Sequence, residues 1–131
     1  MGNAKIVIVD DDLDLTKALK VTLESENYSV VTASDRIEGM EKTKTEQPDL
    51  IILDVMMATW QDGFEMAREL RKDSQSIKNT PILMMTGVKS KTGIDFKATA
   101  GDPTWCPVDG FLDKPVEPDI LLAEVRKLLQ K

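Results

Sequence analysis

Three adjacent carboxylates, Asp10, Asp11 and Asp12, follow directly on the apolar run at residues 6–9, and Asp14 lies just beyond them. Like charges this close repel, the more so where a buried strand excludes water. One use for them is to cap the helix that follows, where negative charge is favourable. The other is to hold a hard divalent cation, since Mg2+ favours a few carboxylates together with water and phosphate oxygens. Further along, Asp54 closes the apolar run at 50–53, Thr86 closes that at 82–85, and Lys114 stands shortly after Phe111 and Leu112. Taken singly, each has an ordinary structural use: an Asp in a turn, a Thr bonded to nearby backbone, a solvated Lys. Together they suit phosphoryl transfer. A carboxylate attacking phosphorus needs a cation to offset the charge on both partners, while an ammonium and a hydroxyl can bind the remaining phosphoryl oxygens.

Residues so far apart in sequence meet only if the intervening elements bring them to one edge. Apolar runs at 6–9, 28–31, 50–53, 82–85 and the brief 111–112 are continuous rather than alternating, so the stronger ones read as strands buried on both faces. Between them, 13–26 spaces Leu15, Leu19 and Leu23 along one helical stripe. Residues 35–46 open with Asp35 and Glu38 in a capping-box pattern and carry Ile37 and Met40 as a stripe. Residues 63–72 carry Phe64, Ala67 and Leu70, and a last helix from about Pro118 buries Leu121, Val125 and Leu128. The stretch 88–109 holds Gly101, Pro103 and Pro107 and no helical stripe; a short helix near 93–100 followed by loop is expected there. Strand and helix alternating five times imply an α/β fold, a doubly wound parallel sheet with right-handed crossovers. In such sheets function gathers at the carboxyl ends of the strands. Asp10, Asp11, Asp54, Thr86 and Lys114 all fall at or just past such ends.

Composition narrows the function further. At 131 residues, 41% hydrophobic and 31% charged, the chain has room for one folded domain. Acidic residues outnumber basic ones by 23 to 17, a net charge of −6, which argues against nucleic acid or an anionic membrane as direct partners. No run approaches membrane-spanning length, the N-terminus lacks a signal-peptide segment, and Cys106 is the sole cysteine, so a reducing, cytoplasmic location is expected. The absence of histidine removes the usual general base and any internal phosphohistidine.

In this order and spacing, the acidic pair after the first strand, Asp54 within Leu-Asp-Val-Met-Met, Thr86 after the fourth strand and Lys114-Pro115 after the fifth resemble the receiver domain of two-component response regulators over nearly the whole chain. The resemblance implies a flavodoxin-like (βα)5 fold, strand order 2-1-3-4-5, with residues 1–131 forming a single receiver domain. It implies that Asp54 is the phosphoacceptor and that Asp10, Asp11, Asp54 and the backbone carbonyl of Met56 bind Mg2+. Thr86 and Lys114 resemble the residues that contact the phosphoryl group, and Phe111 the switch aromatic that rotates as Thr86 moves. The bond before Pro115 resembles one that is cis in the family. The implied partners are a sensor histidine kinase or phosphotransfer protein and an output protein that the sequence does not name. Such a domain catalyses only its own phosphorylation and dephosphorylation and is not a turnover enzyme. Because the chain ends one helix after Lys114, either a single-domain regulator or a fragment of a longer protein is expected, with no output domain following within it.

Some positions depart from the family pattern. Ala58 stands where a proline is usual, the loop before Asp62-Gly63 is one residue longer and contains Trp60, Gly87 follows Thr86, and the interval from Thr86 to Phe111 is several residues longer. Met56 and Val88 occupy the positions that flank the path of a hydrolytic water in the family, and both are apolar.

Two other readings compete with this one. Asp12, Asp14 and Thr16 satisfy the Asp-x-Asp-x-Thr motif of haloacid-dehalogenase-like phosphatases, but two residues separate Asp12 from Val9, and Asp54 would have no role. A pseudo-receiver that binds partners without being phosphorylated is the second.

Overall fold

A computed structural model describes residues 4–54, 66, 68–70, 72, 80–86, 109–113 and 117–129, with backbone alone at 54, 86, 111 and 113. The expected short helix at 93–100, together with Met56, Ala58, Trp60, Gly87, Val88, Lys114 and the bond before Pro115, lies outside the described residues.

β1 (Lys5–Val9) contains four consecutive β-branched residues, Ile6, Val7, Ile8 and Val9, all fully buried. Their restricted χ1 suits the pleated backbone. With β2 (Ser29–Ala33), β3 (Leu50–Asp54), β4 (Ile82–Thr86) and β5 (Gly110–Asp113) it forms one five-stranded sheet, order β2-β1-β3-β4-β5, every pairing parallel. The expected strand order is therefore the observed one. β1, β3 and β4 are interior strands covered on both sides, which is why their sequences run apolar without alternation. β2 lies at an edge; only Val30 and Ala33 are buried there, and it runs two residues beyond the apolar run at 28–31, to Ala33, which pairs with Val9.

α1 (Leu13–Glu24) starts at the cap residue Asp12, whose Oδ1 accepts from the Leu15 N–H at 3.1 Å. Its buried face is Thr16, Leu19 and Leu23, with Leu15 half-buried beside them. α2 (Arg36–Glu46) is capped by Asp35, whose Oδ1 accepts from Glu38 N at 2.8 Å. Glu38 does not return to Asp35, as a capping box would require. Its Oε1 instead accepts from the Ser34 N–H at 2.8 Å and the Ser34 hydroxyl at 3.0 Å.

The stripe expected on α2 is corrected by the structure. Ile37 is 80% exposed and Met40 half-buried, whereas the face turned to the sheet is Gly39 and Thr43. The reason is proximity. A Cβ on Gly39 would stand 2.8 and 2.9 Å from the two Val9 methyls and 3.0 Å from Met66 Cε, so the helix approaches β1 more closely than a side chain allows. Thr43 satisfies its buried hydroxyl by donating to the Gly39 carbonyl at 2.7 Å.

Residues 66, 68–70 and 72 are helical, with Met66 and Leu70 fully buried; Phe64 and Ala67 of the expected stripe lie outside the described residues. α3 (Pro118–Leu129) buries Leu121, Val125 and Leu128, as its spacing predicts. These join Leu19, Leu23, Ile6, Ile8, Leu50 and Ile52 in one core against a face of the sheet.

Candidate phosphoacceptor site

The parallel register fixes how the strand ends line up. Val9 pairs with Leu53, so Asp10, one residue on, comes level with Asp54. Asp54 pairs with Met85, one residue before Thr86, and Thr86 pairs with Asp113, the residue before Lys114. The carboxyl ends of β1, β3, β4 and β5 are thus neighbours in that order, each strand roughly 4.8 Å from the next. β1 is also the point where the chain reverses direction across the sheet, with β2 on one side and β3 on the other.

The acidic turn divides its three carboxylates by role. Asp10 is fully buried; its N–H donates to the Ala33 carbonyl at 3.0 Å, and its Oδ1 accepts from the Asp12 N–H at 2.9 Å. Asp11 is exposed, and Asp12 is the helix cap. Capping therefore accounts for Asp12, and Asp10 and Asp11 bring two further carboxylates to the rim. Two neighbouring carboxylates with no nitrogen or sulfur ligand beside them in the turn suit a hard cation such as Mg2+. Among the described residues no three His, Cys, Asp or Glu side chains cluster as a metal site, and Asp10 and Asp11 supply two.

A notch of about 230 Å3 borders this turn, lined by Asp10, Thr16, Thr32, Ser34 and Glu38 among others. A larger recess of about 580 Å3 lies beside α2, lined by Asp35, Arg36, Ile37, Met40 and Glu69, and Arg36 pairs with Glu69 there. Neither Asp10 nor Asp11 is among its described lining residues.

Of the residues expected at the site, the described backbone brings the ends of β1, β3 and β4 together and sets β5 next to β4. Met56, Lys114 and Pro115, and the side chains of Asp54, Thr86 and Phe111, lie outside the described residues. One residue near the site escaped the sequence reading except as part of the phosphatase motif. Thr16 is 5% exposed, and its hydroxyl donates to the Asp12 carbonyl at 2.8 Å. The available signal was its place one turn past Asp12, at the head of the buried stripe of α1.

The comparisons agree with this geometry. Residues 6–126 match the response regulator receiver domain, and the chain belongs to that family. It is 35% identical over 133 residues to the alkaline phosphatase synthesis transcriptional regulatory protein PhoP of Bacillus subtilis, covering 98% of this chain and 50% of that protein. Among solved structures it is similar to a putative response regulator from Chloroflexus aurantiacus, with a TM-score of 0.83, 28% identity, and 98% and 99% of the two chains covered. It is also similar to the chemotaxis protein CheY4 of Vibrio cholerae, with a TM-score of 0.80, 30% identity, and 97% and 99% covered. The chain spans about half the length of the curated relatives it matches. It is a receiver domain of the kind that works as a phosphorylation-dependent signalling switch, and a regulatory domain rather than a conventional enzyme. Neither the phosphatase nor the pseudo-receiver reading gains support from these matches. Asp12, which the phosphatase motif needs as nucleophile, is occupied as a helix cap. Among the described residues no helix is long and apolar enough to cross a membrane.

Proposed function

We propose that Asp54 accepts a phosphoryl group from the phosphohistidine of a partner kinase or phosphotransfer protein, and that the resulting acyl phosphate switches the domain's surface toward an output protein. The observation that carries the reading is the β1–β3 register, in which buried Asp10 stands one residue past the Val9–Leu53 pair, beside the strand that ends in Asp54. An oxygen of the Asp54 carboxylate forms the new bond to phosphorus as the phosphorus–nitrogen bond of the donor breaks and the imidazole leaves. Asp10 and Asp11, with Asp54 and the Met56 carbonyl, would hold Mg2+. When bound, that ion supplies positive charge against the carboxylate and phosphoryl oxygens. The Lys114 ammonium and the Thr86 hydroxyl bind the remaining phosphoryl oxygens, and the movement of Thr86 draws Phe111 with it. The 131 residues contain no histidine, so no phosphohistidine donor lies among them. A cytoplasmic setting, with residues 1–131 acting as one receiver unit, belongs to the same proposal.

Acetyl phosphate with Mg2+ should add one phosphoryl mass, labile to hydroxylamine, and chelation should abolish the addition. Asp54→Asn keeps the shape and removes the nucleophile, so it should gain none. Wild-type yield of the same labile adduct on Asp54→Asn would overturn the assignment.

A further inference from the structure

We infer that Thr16 is a positioning residue for the metal-holding turn, its buried hydroxyl fixing the backbone of Asp12 and, through it, the Asp10 carboxylate. The inference rests on the Mg2+ reading of Asp10 and Asp11 given above. Thr16 heads the buried face of α1, where the next members of the stripe are Leu19 and Leu23, and an apolar residue would fill the space without burying a hydroxyl. The hydroxyl is not needed to complete the helix. The Asp12 carbonyl already accepts from the Thr16 N–H at 3.0 Å, and the hydroxyl adds a second bond to the same oxygen at 2.8 Å. It also lies 3.5 Å from the Asp10 carbonyl.

A Thr bonded four residues back is an ordinary habit in helices. Here, however, the anchored residue is the one whose N–H holds Asp10 Oδ1, at 2.9 Å. The path from hydroxyl to carboxylate is therefore continuous: Thr16 Oγ1 to the Asp12 carbonyl, then the Asp12 N–H to Asp10 Oδ1. Thr16 also borders the same notch as Asp10. Groups that orient a metal-binding carboxylate from behind act on affinity without touching the ion.

The test is calorimetric titration of the full 131-residue chain with MgCl2, beside a thermal melt recorded without metal. Thr16→Val keeps the shape and deletes the hydroxyl, and should weaken Mg2+ binding by roughly tenfold, the low end for loss of such a partner. Thr16→Ser returns the hydroxyl and should restore affinity, which a purely structural role of the side chain would not require. Thr16→Ala provides a second deletion should valine disturb the packing. Unchanged Mg2+ affinity in a folded Thr16→Val or Thr16→Ala, or a Thr16→Ser no tighter than Thr16→Val, overturns the inference. Asp11→Asn separates the two claims: if it binds Mg2+ like wild type, the metal assignment itself fails, whatever Thr16 does.

Discussion

The Asp12 backbone N–H donates to Asp10 Oδ1 at 2.9 Å, so the residue that caps α1 also sets the orientation of the buried carboxylate before it. That contact needs an acceptor oxygen and no charge. An amide supplies the same oxygen. Asp10→Asn is therefore expected to keep this contact and to fold in the absence of metal. Mg2+ at a hundred times its dissociation constant should stabilise wild type by about 2.7 kcal/mol by mass action, and the variant by much less. Urea unfolding with and without MgCl2 checks this, and an equal Mg2+-induced shift in both proteins would remove Asp10 from the metal site.

A second expectation concerns the lifetime of the phosphorylated state. The side chains of Met56 and Val88 are apolar and unsuited to orienting a hydrolytic water by hydrogen bonding. Met56→Asn combined with Val88→Glu should shorten the lifetime of the acyl phosphate by about tenfold or more, within the range that positioned proton-transfer groups contribute. Decay of the phosphorylated mass after donor removal provides the measurement. Identical decay in both proteins would show that these positions do not control the water.

Packing at Gly39 yields a third. Any side chain there meets Val9, the residue directly before Asp10, with two methyls under 3.0 Å from the new Cβ. Gly39→Val should destabilise the domain by about 1–3 kcal/mol through overpacking. Because the displaced residue adjoins the acidic turn, Mg2+ affinity should fall with it. Loss of stability with intact affinity would show that strain at Val9 is absorbed before it reaches Asp10.

Gln47 ends α2 with φ at 47°, in the left-handed region that costs an L-residue about 1 kcal/mol. Glycine is the usual occupant of such a cap. Gln47→Gly should raise the unfolding free energy by about 0.5–1 kcal/mol, less whatever the freer unfolded chain takes back. A lower urea midpoint in the variant would count against the cap as a site of strain.

How far the sequence could be read depends on the kind of physics involved. Strands 6–9, 50–53 and 82–85 were legible because interior parallel strands must be apolar on both faces, and their short length between turn residues and helical stripes sets them apart from helices. The buried face of α2 was not legible. It is made of Gly39 and Thr43, small residues chosen for closeness to β1, while Ile37, the most apolar residue of the segment, points to solvent. A hydrophobic stripe registers attraction to a core and is blind to close approach. At the site, the positions of Asp10 and Asp54 followed from where strands end. The division of labour among Asp10, Asp11 and Asp12 did not, because it depends on turn hydrogen bonds that neighbouring identical residues cannot distinguish by type. Thr16 escaped for the same reason: its partner is a backbone carbonyl, which carries no side-chain signature.

The placement of β1 between β2 and β3 has a consequence for the chain as it is made. β2 follows β1 closely, but the partner on the other edge, β3, arrives only when Leu50–Asp54 has been synthesised. At about 5–20 residues per second, the 21 residues from 34 to 54 take roughly 1–4 s to add, during which the apolar strand β1 has an open edge. Nascent chains from which β1 and β2 have emerged but β3 has not should therefore be more susceptible to capture by chaperones than chains from which Leu50–Asp54 has emerged. The strand that carries the acidic turn is made before the strand that ends in Asp54 and is without its second neighbour until that strand arrives.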